Sequence, residues 1–301
     1  MGIPHYRSSP QIAIVAAYAA TCLIWGTTWL AIKGSLHGYA PITGVGFRFT
    51  LAALFLYAIG FAGGALRGRS ARGLVPPLKL LIVLATFFFG INYVFVYIAE
   101  TRLSSGLVAV LFGTLPFFMF GFGRSMLGER TTSRTALGAL LALGGVAVIS
   151  ITGAVRGDVA FVAVAIASAA MAAFANVYLK RWSHTEPFVI LPAAMLLSGV
   201  ACSALGLAFE RFDQAAALAP AAWLSLLYLS LLGSAIAFYL NHWLLQRIDS
   251  WVMGLSALII PVIAVVVGIL FGGEAFTVRD VLGATLVIGG VSLALARTRA
   301  A

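Results

Sequence analysis

The chain has 301 residues, 62% of them hydrophobic and only 9% charged, with a formal net charge of +10. Soluble domains carry about 25% charged residues, so a water-soluble globular fold is excluded and an all-α integral membrane protein is expected. The basic excess calls for no nucleic-acid partner, because Lys and Arg flanking membrane spans on the cytoplasmic side give the same sign.

A spanning helix needs about 20 mostly apolar residues, and polar punctuation divides the chain into ten such stretches. The first, 11–33, is longer than the apolar region of a secretory leader and lacks a convincing small-residue cleavage site, so it reads as a retained helix. Trp25 and Trp29, four apart, share one of its faces. The second span, 41–63, carries Arg48 about 10 Å in from its outer end at 1.5 Å per residue. A guanidinium at that depth is expected to snorkel outward or to pair with a carboxylate such as Glu100, in a structural role. The third span, 78–100, supplies Phe88, Asn92, Tyr93 and Tyr97 before ending at Glu100.

The fourth span, 104–124, contains Pro116, and the fifth covers 134–152. The sixth, 158–180, presents Phe174 and Tyr178, again four apart. After the seventh, 187–208, the eighth runs over 220–241 and leads through Tyr239, Asn241, His242 and Trp243. The ninth, 251–271, has Pro261 at its centre and closes on Gly273 and Glu274, and the tenth covers 279–296. Asn and His at lipid depth are costly unless they face protein or water. That marks Asn92, Asn241 and His242 as candidates for substrate contact. The alternative for the two amides is an interhelical hydrogen bond, and His242 is read as a neutral helix contact ahead of a proton-linked role. Cys22 and Cys202 fall inside spans without metal spacing and read as small packing residues.

Orientation follows from the basic residues near span ends. With the N-terminus inside, the cytoplasmic segments hold thirteen Lys and Arg, against five outside (Lys33, Arg102, Arg156, Arg211 and Arg279). Both termini are therefore predicted to be cytoplasmic.

The segment from Arg102 to Val146 aligns without a gap with that from Arg247 to Val291, an offset of 145 residues. Matched are Ser105 with Ser250, Pro116 with Pro261, Gly128 with Gly273, Glu129 with Glu274, Gly138 with Gly283, and Gly-Gly-Val at 144–146 and 289–291. Five spans lie in each half, and an odd number per repeat sends the halves through the membrane in opposite directions. Two inverted five-helix repeats, 11–152 and 158–296, around a central cavity are the expectation, and such repeats accompany alternating access. Pro116 and Pro261 have no N–H to give to the carbonyl four residues earlier, so each favours a kink facing the protein interior and is a candidate hinge.

The motifs "IWGTTWLAIK", "GFRFTLAALFL" and "AFYLNHWLLQRIDSWVMGLSALIIPVIAVVVGILFGGEAFTVRDVLGATLVIGGVSLA", with the earlier copy of the last, resemble the ten-helix EamA-type carriers of the drug/metabolite transporter superfamily, and within it the exporters of aromatic and hydrophobic amino acids. The resemblance covers nearly the whole chain. It implies a multi-pass protein of the bacterial inner membrane that exports amino acids or related metabolites.

The candidate cavity residues are Trp25, Trp29, Phe88, Asn92, Tyr93, Tyr97, Phe174, Tyr178, Tyr239, Asn241, His242 and Trp243. Aromatic walls with a few amides suit a zwitterion with a large apolar side chain. The acidic residues all fall at or near span ends, so no obvious acid remains for proton-coupled export of cations. No catalytic motif or metal-ligand spacing occurs, and neither enzyme, metal nor cofactor is expected. Other metabolites or lipophilic drugs, and with less support a fixed pore or a membrane enzyme, stay open as alternatives. The expected partners are a small-molecule substrate and the lipid bilayer, with the monomer as the working unit.

Overall fold

The computed structural model describes residues 11–68, 75–103, 105–150, 159–182, 184–272 and 278–296, and among them the chain is helical without a strand. In chain order the longer helices are α1 (Gln11–Ser35), α2 (Pro41–Ala62), α3 (Leu78–Arg102), α4 (105–127), α5 (Ser133–Ser150), α6 (Val159–Arg181), α7 (Pro187–Phe209), α8 (Pro220–Leu245), α9 (250–272) and α10 (Val278–Leu295), with a single-turn helix, Gln214–Ala217, between α7 and α8. Among the described residues seven of these are long and apolar enough to cross a membrane, while α5, α9 and α10 hold shorter apolar stretches. Gly273 and Glu274, singled out by the repeat, lie outside the described residues.

Local chemistry sets the helix ends. Proline opens α2, α7 and α8, where its missing N–H has no intrahelical partner to lose. The start of α2 is completed by Glu210 beyond α7, whose carboxylate accepts from the Ile42 N–H at 2.9 Å, the Thr43 N–H at 2.8 Å and the Thr43 hydroxyl at 2.8 Å. An anion there satisfies free donors and suits the positive end of the helix. Gly128 ends α4 in the left-handed region, φ +69°, which costs a residue without Cβ little.

Two helix pairs pack along most of their length, α2 on α7 and α5 on α10. Both seams depend on glycine. A Cβ on Gly290 of α10 would stand 2.5 Å from the Ala142 nitrogen, and one on Gly138 of α5 would stand 2.5 Å from the Ala294 nitrogen. In the other seam, a Cβ on Gly199 would lie 2.5 Å from the Thr50 nitrogen. Such backbone approach lets dispersion and close fit hold helices together where lipid removes the hydrophobic drive. Gly144 and Gly289 face open space instead, so only part of each Gly-Gly pair belongs to the seam. Around these pairs α1 lies against α8 and α9, and α6 lies against α3 and α4.

One polar tie joins α4, α6 and α9. Glu129 accepts from the Ser250 N–H at 2.9 Å and from the Ser250 hydroxyl at 2.6 Å, and the Lys180 ammonium approaches the same carboxylate at 3.4 Å. Lys180 also donates to the Ile248 carbonyl. Gly123 makes room for this arrangement, since a Cβ there would meet the Glu129 Oε2 at 2.8 Å.

The seam predicts a matched pair of outcomes. Gly290→Ala is expected to cost about 1–3 kcal/mol through overpacking and to lower the thermal unfolding temperature of the detergent-purified protein. Gly289→Ala, one residue away, is expected to leave it within error of wild type. Equal effects of the two substitutions would show that α5 and α10 do not meet this closely.

Candidate functional site

Among the described residues the helical ladder is interrupted at four places, all in or close to the wall of one cavity. In α4 the helix stops at Phe112 and restarts at Leu115, leaving Gly113 and Thr114 in a turn. In α9 it breaks at Leu255, between the pieces Ser250–Gly254 and Ser256–Gly272. Within α3 the stretch Leu84–Gly90 widens to a π-helix, and within α8 Leu231–Ile236 does the same. Phe112, Leu115, Met253 and Ser256 flank the two breaks and all line the cavity, as do Phe88 and Phe238 in or just beyond the two π-segments. Its volume is about 770 Å³, counting the space at its mouth.

The cavity wall is aromatic, aliphatic and amide with the hydroxyls of Thr28 and Ser256, and has no Asp, Glu, Lys, Arg or His among the described residues that line it. Trp25 meets Phe238 edge to face at 5.6 Å between ring centres, and Trp29 meets Phe112 at 5.9 Å. Phe88 packs on Phe238 at 5.0 Å. These T-shaped contacts fix the rings of α1, α3, α4 and α8 against one another.

Three asparagines supply the amides. The Asn92 amide nitrogen donates to the Phe88 carbonyl at 3.1 Å, meeting a backbone acceptor within the π-segment of α3. The Asn176 nitrogen donates to the Ala172 carbonyl at 2.9 Å, and its oxygen accepts from the Asn241 nitrogen at 2.9 Å. Backbone carbonyls can only accept, so both chains have a fixed direction. The side-chain oxygens of Asn92 and Asn241 are left without a protein partner, as is the indole N–H of Trp25.

Of the residues singled out in the sequence, Trp25, Trp29, Phe88, Asn92, Tyr93, Asn241 and Pro261 come together on this wall. Tyr97, Phe174, Tyr178, Tyr239, His242 and Trp243 do not, and each has other company. Tyr97 is buried beside Gly44 of α2. Phe174 sits edge to face with Phe87 and Phe122, each at 5.7 Å, and Tyr178 lies beside it, forming an aromatic group behind the cavity. Tyr239 stacks on Phe188 of α7 at 4.9 Å. The His242 Nε2 lies 3.1 Å from the Thr185 carbonyl, tying α8 to the connection before α7. Trp243 is covered by the Arg247 guanidinium at 3.9 Å. Because α8 continues to Leu245, four residues past the expected end, His242 and Trp243 fall on its buried and packed turns.

Arg48 corrects a further expectation, for it neither snorkels nor pairs with Glu100. It is 1% exposed, donates from Nε to the Ser234 hydroxyl at 2.8 Å and from Nη2 to the Gly233 carbonyl at 3.3 Å, and lies 4.6 Å above the Tyr93 ring. It thus binds the π-segment of α8 to α2, with Tyr93 between the guanidinium and the cavity. Glu100 is buried at the far end of α3. Pro116 stands in the first turn after the break in α4, and Pro261 lies inside the second piece of α9. Each break thus precedes its proline, by two residues in α4 and by six in α9. Asn176 was missed in the sequence, although the rule that picked out Asn92 and Asn241, an amide at lipid depth, applies equally to it.

The chain matches the EamA-like transporter family over residues 11–151 and again over 157–296. It belongs to that family, and so to the drug/metabolite transporter superfamily. Among its relatives, Protein PagO of Salmonella typhimurium is 27% identical over 291 residues, covering 95% of this chain and 93% of that one. A Salmonella typhimurium protein named "Probable amino-acid metabolite efflux pump" is 28% identical over 286 residues, covering 89% and 90%. The "Uncharacterized inner membrane transporter YedA" of Escherichia coli K12 is 25% identical over 299 residues, covering 95% and 92%. A solved crystal structure superposes with a TM-score of 0.78 at 21% identity, over 94% of this chain and 96% of that one, which shows a shared fold.

The planar fit of Arg48 makes a prediction. Arg48→Ala and Arg48→Lys should both lower the thermal unfolding temperature, with lysine recovering less than half of the loss, because an ammonium has neither the fork nor the flat face that Arg48 uses. Thermal unfolding of the purified variants measures this. A lysine variant as stable as wild type would show that charge alone suffices.

Proposed function

We propose that the chain is an inner-membrane secondary transporter exporting amino acids with large hydrophobic or aromatic side chains by alternating access. The observation that carries this reading is the wall of the cavity: aromatic rings on one helix after another, a small set of amides, and no charged residue among the described lining residues. Rings accommodate an apolar side chain, while amides and broken helix ends meet a zwitterion's polar groups without demanding a net charge. The relative named for amino-acid metabolite efflux agrees with this class of substrate.

The architecture in the proposal is ten spanning helices in two inverted five-helix units, 11–152 and 158–296. The packing supports it. The neighbours of α1, namely α8 and α9, become those of α6, namely α3 and α4, when each helix is exchanged for the one five places on in the chain. The family's two matches, 11–151 and 157–296, fall on the same division. Pro116 and Pro261 act as hinges in helices already broken nearby. The Glu129 tie to Ser250 and Lys180 closes one end of the path and must part for that end to open. Both termini are cytoplasmic, and the monomer is the working unit.

Efflux from reconstituted vesicles loaded with phenylalanine, leucine, serine or a lipophilic cation tests the reading. Phenylalanine and leucine should leave faster than serine, and Trp29→Ala or Phe238→Ala should slow phenylalanine efflux about tenfold or more, in line with 1–3 kcal/mol for modest changes in an apolar wall. Insertion and thermal stability should stay near wild type for Trp29→Ala, whereas Phe238→Ala removes a fully buried ring and should lower stability, so its efflux is compared per amount of folded protein. Export of the cation without amino-acid movement, or unchanged efflux in both aromatic variants, would remove this substrate assignment.

A further inference from the structure

Resting on the amino-acid reading above, we infer that the cavity recognises its substrate by the amine end, with the ammonium held by the side-chain oxygens of Asn92 and Asn241 and the carboxylate turned toward the indole N–H of Trp25. Three features of the wall lead there. Asn92 and Asn241 are each 1% exposed, and each has an amide nitrogen already bonded while its oxygen has no partner. The direction of each chain is imposed from the backbone, by the Phe88 carbonyl for Asn92 and by the Ala172 carbonyl, through Asn176, for Asn241. Rotating either amide by half a turn would set oxygen against oxygen, so the unpartnered acceptors are fixed features of the site.

A buried acceptor with no donor is unfavourable, and bonds to a charged donor are stronger than neutral ones. An ammonium brings three donors and can meet both oxygens together. A carboxylate brought to the same oxygens would face acceptors with an acceptor. Among the described wall residues the Trp25 indole N–H is an unpartnered donor and can give the carboxylate one hydrogen bond, against the two acceptors open to the ammonium. Asn176, which bonds Asn241 and not the ammonium in this arrangement, is a positioning residue.

The test compares three ligands that share a phenylalkyl body: phenylalanine, phenethylamine, which lacks the carboxylate, and hydrocinnamate, which lacks the amine. Each competes against radiolabelled phenylalanine bound to the purified protein in lipid nanodiscs. Phenethylamine is expected to compete at least about tenfold more strongly than hydrocinnamate, the difference one charge-assisted hydrogen bond makes. Asn92→Asp and Asn241→Asp keep the side-chain size and, although each sets an oxygen where the amide nitrogen donated, add a formal negative charge that should widen that ratio by strengthening phenethylamine. Asn92→Leu and Asn241→Leu should bring the ratio toward one. Asn176→Leu should narrow it while leaving the Asn92→Asp gain in place. Hydrocinnamate competing as well as phenethylamine, or a ratio unmoved by all four substitutions at Asn92 and Asn241, would overturn the inference while phenylalanine binding upheld the transport reading. Absence of phenylalanine binding by the well-folded wild-type protein would overturn both.

Discussion

In a bilayer every backbone N–H and C=O must find its partner within the protein, so a helix can be interrupted only where something else completes it. The break in α4 and the π-segments of α3 and α8 show such completion. Asn92 bonds the Phe88 carbonyl in one π-segment, and Arg48 bonds the Gly233 carbonyl in the other. Beside the break in α4, the Thr114 hydroxyl reaches the Leu111 carbonyl at 2.6 Å. The polar side chains that look out of place in an apolar sequence are therefore the ones that make irregular backbone tolerable. The cavity lies where they are concentrated.

Arg48 shows the same economy in electrostatic form. A buried guanidinium without a carboxylate is expensive, yet here it is met by a hydroxyl, a carbonyl and the faces of Tyr93 and Phe49. Arginine tolerates such company because its charge is spread over a plane and weakly hydrated. Placing the cation behind Tyr93 keeps formal charge off the cavity wall while still joining α2 to α8.

Much of the frame was legible in the sequence. Lipid forces helices and sets their length, so apolar runs between polar marks read out nearly the observed elements. Glycines at 138, 144–145, 283 and 289–290 read as close-packing residues because small residues are how helices approach in lipid, and 138, 145 and 290 do meet a neighbouring backbone while 144 and 289 face open space. Less was legible of the wall. Tyr97, Phe174, Tyr178, Tyr239 and Trp243 have the composition of cavity residues, but which face of a helix looks inward depends on rotation. A π-segment shifts that rotation by part of a turn, and Leu84–Gly90 and Leu231–Ile236 carry no proline and only one glycine each, Gly90 and Gly233, which does not by itself announce one. Nor could spacing show that Asn176 would meet Asn241, since that contact joins α6 to α8 across 65 residues.

The 145-residue repeat also separates what the two halves share from what they do not. Shared are parts of the frame: Pro116 with Pro261, Gly138 with Gly283, and two of the three members of the tie, since Glu129 and Ser250 each have a counterpart in the other half, Glu274 and Ser105, while Lys180 falls opposite Ser35. The polar wall residues are unshared. Asn92 corresponds to Ala237, Asn176 to Ala31, Asn241 to Val96, and Trp25 to Ala170. A repeated frame lets two alternative arrangements have similar energies, because similar contacts can be exchanged between halves. A symmetric wall would give a ligand two equivalent orientations and divide its contacts between them. On the proposed reading, placing the amides on α3, α6 and α8 without counterparts leaves one orientation favoured, so the repeat would supply the motion and its divergence the recognition.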